Sequence, residues 1–136
     1  MEGIETIKQL LTNIYGEVNG RLAFEKISPL IEKFSVQKRK KQGYFSQDDV
    51  ILITYGDAIK KSGQAPVATL HDFALGYLEG AISGIHFLPF FPYSSDDGFS
   101  VIDFFAIDSA LGTWQEVKAI GQDFELMFDY VLNHFS

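Results

Sequence analysis

The most informative absence in this sequence is cysteine, which does not occur once in 136 residues. A chain without thiols has no disulfide scaffold and no cysteine nucleophile. Such a composition is compatible with a reducing compartment, and we therefore predict that the protein is cytoplasmic.

Positive charge is also scarce, because 11 Lys and Arg residues face 18 Asp and Glu residues for a net charge of -7. Nucleic acid is excluded as a default partner, since phosphate binding needs clustered cations. The basic run KRKK at residues 38–41 is interpreted as a solvated linker rather than an interaction tail.

Long apolar runs are missing as well. No stretch approaches the roughly 20 apolar residues of a membrane helix, and the acidic start MEGIETIKQLL lacks the apolar segment of a signal peptide. We predict no membrane partner. The 46% of hydrophobic residues instead predicts a packed globular core.

The first third of the chain has a helical pattern. Apolar residues recur at helical spacing over residues 3–34, with Gly16 and Gly20 between two runs and Pro29 expected to kink or restart the second. We interpret these helices as a packing layer without chemistry. Residues 1–48, which include a polar connector from residue 35, are predicted to form an N-terminal helical segment and linker.

Three short apolar runs predict β-strands in residues 49–136. They are VILITY (50–55), GIHFL (84–88) and ELMFDYV (125–131). The first lacks the polar alternation of a half-exposed strand, so we expect strands buried on both faces of a parallel sheet.

Helical patterns separate these strands. Thr69 is predicted to cap the first helix, which Gly80 should end, and Thr113 with Glu116 forms a capping box for a second helix ending near Gly121. The resulting order β-α-β-α-β predicts an α/β fold with right-handed crossovers, in which binding groups collect at the C-terminal ends of the strands.

The loop that follows the second strand, PFFPYSSDDGFSVIDF, combines aromatic rings with carboxylates. An aromatic ring can stack on a sugar and a carboxylate can accept hydrogen bonds from two hydroxyls, so Phe99 beside Asp96 and Asp97 suits a sugar site. Gly98 would let the backbone turn sharply. Composition alone favours the alternative, in which the aromatic rings anchor the loop and the acids only solvate it.

The three histidines leave several roles open. His134, after the third strand, could donate to a sugar hydroxyl, bind metal or bond to a backbone group. Metal binding is disfavoured because histidines are few and Asp129 lies five residues from His134. His86 is expected to be a satisfied core histidine and His71 to be exposed.

Several segments together resemble glycoside hydrolase family 13, the alpha-amylase superfamily. DYVLNH at residues 129–134 is similar to the Asp-x-Val-x-Asn-His pattern that ends the third barrel strand of that family. LITYGD, GIHFLPFFPYSSDDGFSVIDF and LGTWQEV are similar to its sucrose phosphorylase subfamily. SSDDGFSVID and the N-terminal helical segment most resemble the subfamily members that act on glucosylglycerate or sucrose 6-phosphate.

The resemblance, which covers residues 50–136, implies the first three βα units of a (β/α)8 TIM barrel. It implies that Asp96 grips the far hydroxyls of a glucosyl ring, that Phe99 is the apolar platform of that ring, and that His134 donates to its C6 hydroxyl. Asp129 and Asn133 are implied to be structural. No metal is expected, because sucrose phosphorylases generally lack the calcium of amylases. Phe104 departs from the usual tyrosine or histidine.

Family members are similar in using a double displacement with an aspartate nucleophile, a glutamate acid/base and a second aspartate, which follow strands four, five and seven. No catalytic residue is therefore assigned in this sequence. The resemblance implies the N-terminal, glucosyl-binding part of an enzyme that converts an α-glucoside and inorganic phosphate to α-glucose 1-phosphate without a bound cofactor.

Such a part should be inactive in isolation, and its unpaired strand edges should make it self-associate or bind the remaining barrel portion. Two alternatives stay open from the sequence. One is a non-catalytic structural or interaction module derived from the barrel, and the other is part of a hydrolytic or transglucosylating relative.

Overall fold

The structure is a computed structural model that describes residues 2–35 and 45–134. The chain divides into two compact units, Met1–Tyr44 and Phe45–Ser136. The boundary predicted after residue 48 stays a prediction, and the basic run at 38–41 lies outside the described residues.

The first unit is helical, and we label its helix α1, Glu2–Ser35. Gly16 interrupts α1 with φ 77° and ψ 170°, which confirms the break expected between the two apolar runs. Gly20 is buried, and a Cβ placed there would lie 2.6 Å from the Cα of Thr12. The two helical halves therefore pack against each other at Gly20. The helix does not restart at Pro29, which lies inside the second half of α1 with a helical backbone, and the expected kink there stays a prediction.

Three parallel strands form the sheet of the second unit. They are β1 (Ile51–Thr54), β2 (Gly84–Phe87) and β3 (Glu125–Phe128), in the order β1-β2-β3. The register aligns Ile53 with His86 and His86 with Met127. The predicted β-α-β-α-β order is confirmed, although each strand is four residues long and shorter than its apolar run.

Two helices connect the strands, α2 (Pro66–Leu78) and α3 (Trp114–Asp123). The capping box of α3 is confirmed, since the Glu116 carboxylate accepts from the Thr113 backbone N–H at 2.6 Å. The N-cap prediction for α2 is wrong. Ala65 caps this helix, Pro66 starts it, and the Thr69 hydroxyl donates back to the Ala65 carbonyl at 3.1 Å from within the first turn. Gly80, with φ 75°, follows the helix end as expected.

A histidine–carboxylate pair joins the two helices. His71 Nε2 lies 2.8 Å from Asp123 Oδ2, and the His71 side chain is only 17% exposed. The expectation that His71 would be exposed is therefore wrong, because its imidazole pairs with Asp123 at the end of α3.

The core lies on one face of the sheet, between the strands and these two helices. Ile85 and Phe87 of β2 are fully buried there, and they pack with residues from both helices and the following loop, namely Val67, Leu70, Ala74, Phe90, Phe91, Val117, Ile120 and Phe124. The expectation of strands buried on both faces is wrong, since Ile53 is 62% exposed and Met127 46%. Side chains alternate along a strand, and within residues 45–134 the helices cover only one face.

In the two described ranges, no helix combines the length and the apolar character that crossing a membrane would require.

Candidate functional site

The candidate site lies at the C-terminal ends of the strands, on the loop that leaves β2. The loop contains a short 3₁₀ turn, Asp96–Gly98. Asp96 and Asp97 have positive φ values of 59° and 48°, which aspartate tolerates better than most residues, and Gly98 has φ 101°. The sharp turn expected at Gly98 is confirmed, and it places two carboxylates on the exposed surface of the loop.

Hydrogen bonds brace this turn from both sides. The Ser94 N–H donates to the Ser100 carbonyl at 3.0 Å, and the Ser95 hydroxyl donates to that of Ser100 at 3.1 Å. Across the turn itself, the Phe99 N–H donates to the Asp96 carbonyl at 2.9 Å. Asp96 and Phe99 are therefore held in one small rigid unit.

The aromatic residues of the loop divide into two groups. Phe90 and Phe91 are buried, stack at 4.6 Å between ring centroids, and contact Trp114 of α3. These rings anchor the loop, as the composition favoured. Phe99 is only partly buried and does not belong to the core cluster, so its ring is left for another contact.

Phe104, which departs from the family pattern, also packs in an apolar environment. Its ring lies 5.2 Å from that of Phe91 and 5.2 Å from that of Tyr130, both edge to face. Phe104 thereby ties the loop after β2 to the segment after β3.

His134 meets the turn from the segment after β3. Its Nε2 donates to the Phe99 carbonyl at 2.9 Å, although the two residues are 35 positions apart in sequence. The structure thus places the His134 imidazole against the Phe99 backbone, and the Phe99 N–H in turn donates to the Asp96 carbonyl. Since a carbonyl oxygen only accepts, Nε2 is the donor in this contact. Donation from Nε2 to a sugar hydroxyl would need a rotated ring.

A cleft of about 400 Å³ opens beside this turn, and its lining includes residues that the sequence reasoning missed. Tyr55 and Asp57 come from the loop after β1, Tyr93 and Asp97 from the loop after β2, and Asp108 from the approach to α3. Asp57 pairs with Lys60 at 3.0 Å. Tyr55 and Asp57 directly follow β1, so the rule that sites form at strand ends could have identified them. Asp97 lines this cleft, and Asp96 is not among its lining residues.

A second histidine–carboxylate pair crosses from β2 to the residue after β3. His86 Nε2 lies 3.2 Å from Asp129 Oδ1, and both side chains are mostly buried. His86 is therefore satisfied as expected, but it is not part of the core cluster, because it lies in the row of the exposed Ile53 and Met127. Asp129 Oδ2 is buried and has no hydrogen-bond partner within the described part of the chain. No group of three His, Asp or Glu side chains in residues 2–35 and 45–134 is arranged to hold a metal ion.

No protein-family model matches the chain. The glucosylglycerate phosphorylase of Spirochaeta thermophila is 44% identical over 143 residues, which cover 100% of this chain and 24% of that enzyme. The sucrose phosphorylase of Streptococcus mutans is 42% identical over 86 residues, which cover 63% of this chain and 17% of that enzyme. The chain thus spans about a quarter or less of the length of these relatives.

The fold of the chain is similar to that of a solved phosphorylase structure. The crystal structure of sucrose 6F-phosphate phosphorylase from Thermoanaerobacter thermosaccharolyticum superposes with a TM-score of 0.60 at 33% identity, covering 72% of this chain and 19% of that protein. The three parallel strands and two helices of the second unit therefore correspond to part of a (β/α)8 barrel.

Proposed function

Because the chain belongs to the sucrose phosphorylase group of glycoside hydrolase family 13, we propose that it is the glucosyl-binding part of a retaining glycoside phosphorylase. In this proposal the whole enzyme transfers a glucosyl group from an α-glucoside to inorganic phosphate and releases α-glucose 1-phosphate. It acts in the cytoplasm and uses no bound cofactor.

The comparisons support a particular substrate within this group. The relative that matches the full length of the chain is a glucosylglycerate phosphorylase, whereas the sucrose phosphorylase matches 63% of it. A match over the whole chain includes the helical first unit. We therefore favour glucosylglycerate as the α-glucoside of the whole enzyme.

The observation that carries the proposal is the contact between His134 and the Phe99 carbonyl at 2.9 Å. This contact brings the His134 imidazole to the backbone of the turn that carries the exposed Asp96 carboxylate and the incompletely buried Phe99 ring. Together these groups can bind a glucosyl ring. The aromatic ring offers a flat apolar surface, the carboxylate accepts from two adjacent hydroxyls, and the imidazole is a polar group for the remaining hydroxyl.

The roles of these residues are positional rather than catalytic. Asp96 would hold two ring hydroxyls through charge-assisted hydrogen bonds, and Phe99 would stack on the C–H face of the sugar. His134 would orient the C6 hydroxyl. The double displacement of a retaining enzyme also requires a nucleophile and a general acid, and neither role is assigned to a residue of this chain. The isolated chain is therefore expected to bind glucosyl groups without turning them over.

Titration with α-glucose 1-phosphate, followed by NMR chemical shifts, tests this assignment. Asp96→Asn should weaken binding about tenfold or more, because it replaces charge-assisted hydrogen bonds to sugar hydroxyls with neutral ones. The matched control, Asp97→Asn, removes a neighbouring carboxylate of the same turn and should change the affinity less than about threefold.

The same samples should release no orthophosphate from α-glucose 1-phosphate. Saturable binding that depends on Asp97 and not on Asp96 would contradict the proposed site. Catalytic orthophosphate release that Asp96→Asn abolishes would contradict the proposed inactivity of the isolated chain.

The proposal also includes a partner for the sheet. Within residues 45–134, β1 and β3 each pair only with β2, which leaves one edge of each without a strand neighbour. Unpaired edges and exposed apolar side chains favour association, either with copies of the chain or with the remaining part of a barrel.

A further inference from the structure

The cleft beside the Asp96–Gly98 turn has a lining of its own. Its volume of about 400 Å³ is within the size range of small-molecule sites. Tyr55 and Asp57 line it from the end of β1, and Tyr93 and Asp97 line it from the loop after β2. Ligands of parallel sheets bind at this end of the strands. The cleft is therefore a candidate for a second binding site.

The two neighbouring carboxylates of the turn have different surroundings. Asp97 lines the cleft, whereas Asp96, Phe99 and His134 are not among its lining residues. The Asp97 side chain is exposed, and it makes no hydrogen bond or ion pair within the described part of the chain. Its carboxylate is therefore free to accept hydrogen bonds from a ligand in the cleft, separately from the proposed glucosyl site.

Asp108 supplies a second carboxylate to the lining, on a backbone that is already fixed. Its N–H donates to the Phe90 carbonyl at 2.9 Å, and its Oδ1 accepts from the Ala110 N–H at 2.9 Å. Within residues 45–134 no donor contacts its Oδ2. One oxygen of Asp108 thus holds the loop, and the other is left for a ligand.

Two tyrosines give the cleft its flat surfaces. Tyr55 is 39% exposed and Tyr93 is 47% exposed, and neither hydroxyl is hydrogen-bonded to a described residue. A backbone bridge to Val101 holds Tyr93 in place. A tyrosine ring can pack on the C–H face of a sugar, and its hydroxyl can both donate and accept a hydrogen bond.

The charge of the cleft restricts what it can bind. Asp57 is paired with Lys60 at 3.0 Å, but Asp97 and Asp108 have no cationic partner among the described residues. Two uncompensated carboxylates repel a phosphate or a second carboxylate. The ligand must therefore supply several hydrogen-bond donors without negative charge, and the tyrosine rings favour one that also has a flat C–H face.

We propose that the cleft is a second saccharide site, which binds an uncharged sugar. Hydroxyls of the sugar donate to the Asp97 carboxylate and to Asp108 Oδ2, and its C–H face packs on the Tyr93 ring. Sugar phosphates are excluded from the cleft by their charge. The inference goes beyond the proposed glucosyl site and does not rest on it, because the two sites share no residue.

Titration of the full 136-residue chain with methyl α-glucoside, followed by NMR, tests the inference. The ring signals of Tyr93 and the methyl signal of Ala110 report on the cleft, whereas the imidazole signals of His134 report on the glucosyl site. Methyl α-glucoside should shift the Tyr93 and Ala110 signals saturably. α-Glucose 1-phosphate has the same ring with an anionic substituent, and it should leave them in place.

Substitutions at two lining residues should weaken binding at the cleft. Asp97→Asn should raise the dissociation constant from the Ala110 signal about tenfold or more, because neutral hydrogen bonds replace charge-assisted ones. Tyr93→Ala removes the flat surface and should have a similar effect. If Tyr93→Ala does not fold, Tyr93→Leu takes its place, with the same expected loss. Circular dichroism verifies that each variant retains its helices.

Two matched controls separate the cleft from general effects. Asp96→Asn makes the same chemical change at the neighbouring residue, and it should alter the dissociation constant from the Ala110 signal less than about threefold. Tyr77→Ala removes an exposed tyrosine of α2 that lies outside the cleft, and it should leave cleft binding unchanged.

Several results would overturn the inference. They are an absence of saturable shifts at Tyr93 and Ala110, equal losses for Asp96→Asn and Asp97→Asn, or undiminished binding by the Tyr93 variant. Equally tight binding of α-glucose 1-phosphate at the cleft would overturn the exclusion of anions. Tighter binding of n-butylamine, a cation without hydroxyls, would overturn the choice of ligand. Failure of the glucosyl site alone would instead silence the His134 signals and spare those of the cleft.

Discussion

Residue 98 must be glycine for two separate reasons. Its φ of 101° belongs to a region that residues with a Cβ rarely adopt, and a Cβ placed there would lie 2.9 Å from the Pro89 carbonyl oxygen. The contact is with backbone, which cannot rotate away. The turn that carries Asp96 and Phe99 is therefore set by a single residue without a side chain.

Gly98→Ala should consequently lower the free energy of unfolding by about 2 kcal/mol or more, from backbone strain together with the clash. Gly63→Ala is the matched control, because Gly63 also has a positive φ, 79°, but a Cβ there would meet nothing within 4 Å. The control should cost only about 1 kcal/mol. Urea denaturation measures both values, and equal losses would show that the Pro89 contact contributes nothing.

The sequence was informative about single residues where the cause is local. A glycine after two aspartates predicts a sharp turn, and the structure has one. The sequence could not separate Phe90 and Phe91, which anchor the loop, from Phe99, which does not. All three stand in one aromatic, proline-containing stretch, and only their distance from α3 distinguishes them.

Among the elements, α3 shows that a local sequence pattern can predict where a helix begins. Thr113 and Glu116 are three residues apart, and their reciprocal hydrogen bonds satisfy backbone groups at the start of the helix. The same reasoning failed for α2. Thr69 with Asp72 has a similar spacing, but Pro66 starts the helix one turn earlier, because proline suits the first helical position.

Thr113→Ala should reduce the free energy of unfolding by about 1 kcal/mol through loss of the capping box. Gln115→Ala, at an exposed position in the first turn of the same helix, should change it by less than about 0.5 kcal/mol. Thermal or urea unfolding gives both values. A Thr113→Ala variant as stable as the wild-type chain would show that α3 does not depend on its cap.

At the scale of the whole molecule, the strand order was predictable and the burial of the strands was not. Three apolar runs separated by two helical patterns indicate a parallel sheet, which the structure has. The runs do not reveal how many layers cover that sheet. Ile53 and Met127 have the apolar character of buried residues, but they are 62% and 46% exposed.

The candidate site was also only partly predictable from the sequence. Asp96 and Phe99 share a turn, so local reasoning could group them. His134 was added through the family pattern, and its contact with Phe99 joins residues 35 positions apart, which only the fold determines. Tyr55 and Asp57 stand in a loop with glycine and proline, and only the rule that sites form at the C-terminal ends of strands points to their side chains.

The central claim is that a glucosyl group binds between Asp96, Phe99 and His134, and the imidazole signals of the chain test it most directly. The protein has three histidines, and His71 and His86 are paired within the helices and the sheet, so they serve as internal references. Titration of the labelled chain with α-glucose 1-phosphate should shift the imidazole resonances of His134 and leave those of His71 and His86 in place. Saturating ligand that leaves the His134 resonances unmoved, or that moves those of His71 or His86 instead, would contradict the account.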